Sequence, residues 1–172
     1  MIEKSTIQKV LNIFFDNPSR EFHLRELSRI LKLSMPTIIA TTNILSREKL
    51  IIKTKGKVIT KVQANRENIN FVRFKRLYNL ENIYKSDIVD FLSSFYNHPK
   101  NIVLFGSFSR GDDIEKSDID IAVFTNKKLN LNMEKYEKIL EKHINIHEVD
   151  LDKVSKEFKA NLANGIVLDG SW

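Results

Sequence analysis

The chain has no cysteine, and only 5 Gly, 3 Pro and one Trp among its 172 residues. Without thiols, neither disulfides nor thiolate metal sites belong to the design, and a metal would have to be held by oxygen or imidazole nitrogen. Long apolar runs are also missing, since none approaches the roughly 18 residues a membrane-crossing helix needs. Met1 to Lys9 carries charges where a signal peptide would need its apolar core. These absences predict a soluble cytoplasmic protein with no membrane partner. No internal repeat or low-complexity tract interrupts the chain, and its length suits one well-buried domain or two small ones.

Charge is unevenly spread. Residues 1–80 hold 16 Lys and Arg against 6 Asp and Glu, whereas residues 81–172 hold 12 against 16. A basic first half beside an acidic second half predicts two modules, the first facing a polyanion and the second suited to a metal.

In the first module, Ser5 is placed to cap a helix carrying Ile7, Val10, Leu11, Phe14 and Phe15, closed by Asn17-Pro18. A short helix fits His23 to Leu31, and Ser34 caps a third with Pro36 in its first turn and Ile38, Thr42 and Leu45 facing inward. Residues 50–55 and 58–62 alternate like strands around the turn Lys55-Gly56-Lys57. Helix, helix, turn, helix and basic hairpin resembles a winged helix-turn-helix. That resemblance rests on Phe22 to Ser28, Ser34 to Ile38, Leu45 and Lys49-Leu50-Ile51. It implies a recognition helix over Met35 to Arg47, with Thr37, Ala40, Thr41 and Asn43 on its outer face. Arg20, Arg25, Lys49, Lys53, Lys55 and Lys57 would contact phosphates of double-stranded DNA. Winged helices also dock proteins, so a protein-binding role stands beside the DNA one.

Residues 67–98 read as helical throughout, with Phe71, Phe74 and Tyr78, then Ile88, Leu92 and Phe95, at helical spacing. They form the expected linker between a first domain at 1–66 and a second at 99–172. The second domain alternates: strand 102–105, turn and short helix, strand 118–124, helix 133–143, strand 144–149, helix 154–162 and a final apolar run 166–168. The whole is expected to be α+β, ending in a small α/β domain with a mixed sheet.

The chemistry concentrates in Gly106-Ser107-Phe108-Ser109-Arg110-Gly111 and Ser117-Asp118-Ile119-Asp120-Ile121. Residues two apart in a strand share a face, so Asp118 and Asp120 present paired carboxylates while Ile119 and Ile121 enter the core. Two like charges so close suit a hard divalent cation, Mg²⁺ or Mn²⁺. Glycine after a strand lets backbone N–H groups approach a phosphate, Ser107 adds a hydroxyl, and Arg110 one turn later adds a forked cation.

Apolar strand, Gly-Ser, ten intervening residues and Asp-x-Asp in a second strand together resemble the nucleotidyltransferases of the DNA polymerase β superfamily, above all their minimal branch. The resemblance covers residues 101–125 and rests on Gly106, Ser107, Arg110, Gly111, Ser117, Asp118 and Asp120. It implies a two-metal, Mg- or Mn-dependent transfer of a nucleoside monophosphate from an NTP, ATP being expected, to a hydroxyl. Gly106, Ser107, Arg110 and Ser117 would then bind the nucleotide, and Asp118 and Asp120 would ligate metal and carry catalysis.

That family adds a third carboxylate from a neighbouring strand. If Ile144 and Ile146 face the core, Asn145 and His147 face the site; if the parity shifts, Val149-Asp150-Leu151 offers Asp150, with Glu148 behind it. A rival reading therefore makes the chain a DNA-binding regulator whose degenerate nucleotidyltransferase domain only senses nucleotide. A further one makes it an antitoxin-like protein that pairs with a toxin, with another protein acceptor or with a second copy of itself.

Overall fold

The computed structural model describes residues 5–56, 59–150 and 154–171. The chain divides into two compact units, Met1–Lys75 and Arg76–Trp172.

Unit 1 begins with α1 (Thr6–Asp16), whose first turn is closed by Ser5 Oγ accepting from Gln8 N–H at 3.3 Å. A two-residue strand β1 (Phe22–His23) leads into α2 (Leu24–Leu31), which stops where Lys32 turns left-handed, at φ 54°. Ser34 Oγ accepts from Thr37 N–H at 3.3 Å and starts α3 (Met35–Arg47), with Pro in its first turn. Strands β2 (Ile51–Lys55) and β3 (Thr60–Ala64) follow, and the antiparallel sheet runs β1-β3-β2. Lys57 and Val58, part of the expected hairpin, lie outside the described residues. Phe14, Phe22, Leu27, Ile38, Leu45, Ile51, Val62 and Phe71 are buried, and Phe14 meets Phe22 edge-on at 5.7 Å.

The helix α4 (Ile69–Lys85) is continuous, and the division between the units falls inside it. Asn68 Oδ1 caps it, accepting from Asn70 N–H at 2.8 Å and Phe71 N–H at 3.3 Å. The stretch 67–98, expected as a linker in its own right, is instead shared: its first part belongs to unit 1 and the rest, with α5 (Ile88–Phe95), to unit 2. Ile83, Ile88, Leu92 and Tyr96 are buried against the second sheet, so these helices complete its core.

That sheet orders its strands β6-β5-β4-β7, from β4 (Asn101–Phe105), β5 (Ile119–Phe124), β6 (Ile144–Val149) and β7 (Ile166–Gly170). Strand β5 pairs antiparallel with β4 and parallel with β6, and β4 pairs antiparallel with β7, so the sheet is mixed. The parallel crossover from β5 to β6 carries α7 (Glu134–Leu140). One face packs Ile102, Leu104, Ile119, Ile121, Val123 and Ile144 against the helices. The other packs Val103, Phe105, Ala122, Phe124 and Val149 with Leu162 of α8 (Lys156–Ala163). No described helix is long and apolar enough to cross a membrane.

Candidate active site

The central strand β4 is buried at all five positions and ends at Gly106, where α6 (Gly106–Arg110) begins at once. Gly106 has φ +73°, a left-handed value that favours glycine. A Cβ there would lie 2.5 Å from Asp120 Oδ2, so the missing side chain also makes room for that carboxylate. The register explains the approach, since Phe105 pairs directly with Asp120. Ser107 opens α6, and Gly111, at φ 79°, closes it.

Asp118 precedes β5, which starts at Ile119 rather than at the expected Asp118. Ile119 and Ile121 enter the helix-side core as alternation predicts, leaving Asp120 on the opposite face. The parallel register sets Asn145 beside Asp120 and His147 beside Ala122. Asn145 Nδ2 donates to Asp118 Oδ2 at 3.3 Å and to Asp120 Oδ1 at 3.2 Å, bridging the two carboxylates. His147 Nε2 lies 3.4 Å from the same Asp120 oxygen. Its ring meets Phe105 at 5.1 Å and Phe158 at 6.0 Å, an aromatic setting that fixes where the imidazole stands.

The parity of β6 is thus settled with Asn145 and His147 on the site face. Glu148 turns to the other side, where Tyr96 Oη donates to its Oε1 at 2.8 Å and Leu129 N–H at 2.6 Å. Burial first, then the hydrogen bond to Glu148 and its charge, push the Tyr96 hydroxyl well above the usual phenol range. Asp150 follows the last paired residue of β6, and Leu151 lies outside the described residues. Among the described residues no group of three or more His, Cys, Asp and Glu is gathered as a metal cluster. Two carboxylates on one face, with Gly106 opening space beside Asp120, fit a single hard divalent cation.

The loop carrying Asp118 is held from below. Asn79 of α4 donates to Asp113 Oδ1 at 2.7 Å and to Phe108 O at 2.9 Å. Lys142 Nζ stands 3.5 Å from Asp113 Oδ2 and donates to Ile114 O at 2.7 Å and Ser117 O at 3.2 Å. Ser117 Oγ accepts from Ile114 N–H at 3.0 Å, so this hydroxyl shapes the turn. Arg110 is exposed and its Nε donates to Asp112 Oδ2 at 3.0 Å. The sequence reading missed Lys142, Asp113 and Asn79. Nothing local in the sequence marks a lysine-to-carbonyl clamp.

In unit 1, Arg25 and Lys55 are exposed and Thr37 is half-buried, its Oγ1 2.7 Å from Ser34 Oγ. Thr41 was expected on the outer face of α3 and is instead 5% exposed. With Ile38, Thr42 and Leu45 it completes a buried i, i+3, i+4, i+7 stripe, because α3 is packed by α1, α2 and β2. Lys53 Nζ donates to Asn43 Oδ1 at 2.7 Å and to Thr42 Oγ1 at 3.3 Å. Burial, and then Lys55 nearby, lower its pKa.

Residues 85–168 match the family model described as nucleotidyltransferase domain. No curated protein and no solved structure matches the chain. The match takes in α5, β4, β5, β6, the first three residues of β7, Gly106, Asp118 and Asp120. The matched stretch lies within unit 2, which is to that extent similar to nucleotidyltransferase domains.

Proposed function

We propose that unit 2 transfers a nucleoside monophosphate from an NTP, with ATP the expected donor, to a hydroxyl acceptor in a Mg²⁺- or Mn²⁺-dependent reaction. The observation that carries this reading is the meeting of Gly106 with Asp120 and of Asp120 with Asp118, inside a stretch matching the nucleotidyltransferase family. In the transfer the acceptor oxygen bonds to the α-phosphorus, the bond to the β-phosphate breaks and pyrophosphate leaves. A divalent cation on Asp118 and Asp120 neutralises phosphate charge when bound. Gly106 and Ser107 direct backbone N–H groups and a hydroxyl at phosphate oxygens. Arg110, paired to Asp112 in the free protein, exchanges that carboxylate for phosphate.

We further propose that unit 1 is a winged helix-turn-helix that binds double-stranded DNA. Support comes from the order α1, β1, α2, α3, β2, β3, from exposed Arg25 and Lys55, and from the basic balance of residues 1–80. Thr41 is dropped from the contact set because it is buried, and Lys53 serves by fixing β2 to α3.

A second reading, a DNA-binding regulator that senses nucleotide without transferring it, is favoured by one observation. An amide, not a third carboxylate, stands between the two aspartates. Incubating the protein with each labelled NTP, Mg²⁺ or Mn²⁺ and cell extract separates the two. Transfer predicts labelled product that disappears in Asp118→Asn with Asp120→Asn; nucleotide binding without product under every condition supports the sensor.

A further inference from the structure

We infer that Asn145 holds the centre at Asp118 and Asp120 to one divalent cation fewer than the same site would take with a carboxylate at position 145. The inference rests on the transfer reading above and refines its metal centre. The parallel register fixes Asn145 next to Asp120, so its side chain has no other face to occupy. One NH₂ group supplies two hydrogens, and here each goes to a different carboxylate, at 3.3 and 3.2 Å. The repulsion between the aspartates is thereby relieved in the absence of metal, by a group that brings no negative charge.

The other acids are committed elsewhere. Glu148 lies on the opposite face with Tyr96 and Leu129 N–H, Asp112 is paired with Arg110, Asp113 is buried with Asn79 and Lys142, and Asp150 lies beyond the last residue of β6 that pairs with β5. His147, against Asp120, adds no negative charge. The centre therefore carries the charge of two carboxylates, which one divalent cation balances. A second cation would have to share those oxygens at short range and would meet strong repulsion. An aspartate at 145 would remove the amide bridge and add the missing charge in the same place.

The test is a Mn²⁺ titration of the full chain, without nucleotide, reading free Mn²⁺ by electron paramagnetic resonance. The expected result is one more ion per chain for Asn145→Asp than for the wild type. Asn145→Ala keeps the wild-type stoichiometry, and Asp120→Asn loses the site. Two ions on the wild type, or identical stoichiometry in Asn145→Asp, overturn the inference while leaving cation-dependent transfer standing. No ion on the wild type with one on Asn145→Asp supports the inference and removes the transfer reading. Where like charges unfold Asn145→Asp in EDTA, the expected result is Mn²⁺-driven recovery of its circular dichroism. No recovery at saturating Mn²⁺ overturns the inference.

Discussion

Gly106 couples the phosphate-facing turn to the carboxylate pair through an absent atom. With φ at +73° and Asp120 Oδ2 2.5 Å from where a Cβ would stand, Gly106→Ala meets backbone strain and a displaced aspartate together. The strain alone costs about 1–2 kcal/mol. The expected outcome is an unfolding free energy, measured in urea, lowered by that amount and a transfer rate lowered by more than tenfold, so that activity falls further than stability explains. Gly106, Asp118 and Asp120 were legible in the sequence because they form a local pattern around one strand turn. The bridging role of Asn145 was not, since the parity of β6 admitted two settings until its pairing with β5 fixed one.

Tyr96 gives a residue-scale prediction in pH. Its pKa is raised on folding by burial and by Glu148, so the folded state favours the neutral phenol. The stability it contributes is fully present below the unfolded value near 10 and is lost as pH rises beyond it. Urea denaturation from pH 8.5 to 11 should show a steeper loss for the wild type than for Tyr96→Phe. At neutral pH the variant should be less stable by about 1.5–3 kcal/mol, the worth of a hydrogen bond to a charged partner.

At the scale of elements, the end of α7 decides how the loop carrying Asp118 is held. The expected helix through His143 stops at Leu140, where Glu141 turns left-handed at φ 53°. That early stop releases Lys142 to reach Asp113, Ile114 O and Ser117 O. A left-handed stop made by glutamate has no glycine to announce it, which is why the boundary was misplaced. Asp113 is buried, so Lys142→Met leaves its charge without the cation and is expected to destabilise unit 2 by about 3–5 kcal/mol. Adding Asp113→Asn should recover part of that loss, as a double-mutant cycle in urea would measure. Capping serines were good guides elsewhere: Ser5 and Ser34 each start the helix their spacing suggested. Thr41 failed as an outer-face residue because its helix is packed on three sides, a fact of tertiary structure that a single helical repeat does not carry.

For the molecule as a whole, the basic first half and acidic second half correspond closely to the two units, but composition did not locate their division. It falls within α4, a helix that runs unbroken from Ile69 to Lys85. If unit 1 binds duplex DNA through exposed basic side chains, mobility-shift affinity should fall steeply between 50 and 200 mM salt, and Arg25→Ala with Lys55→Ala should flatten that slope. Unchanged affinity and slope in the double variant would place the DNA contacts elsewhere.

The claim that most needs a direct test is that unit 2 transfers a nucleoside monophosphate at the Asp118 and Asp120 centre. The decisive measurement follows α-labelled and γ-labelled NTP in parallel, with Mn²⁺ and cell extract, for the wild type and Asp120→Asn. The account predicts acceptor labelled from the α-phosphate only, pyrophosphate released in equal amount, and both lost in the variant. Acceptor labelled from the γ-phosphate, or α-labelled product persisting in Asp120→Asn, would contradict it.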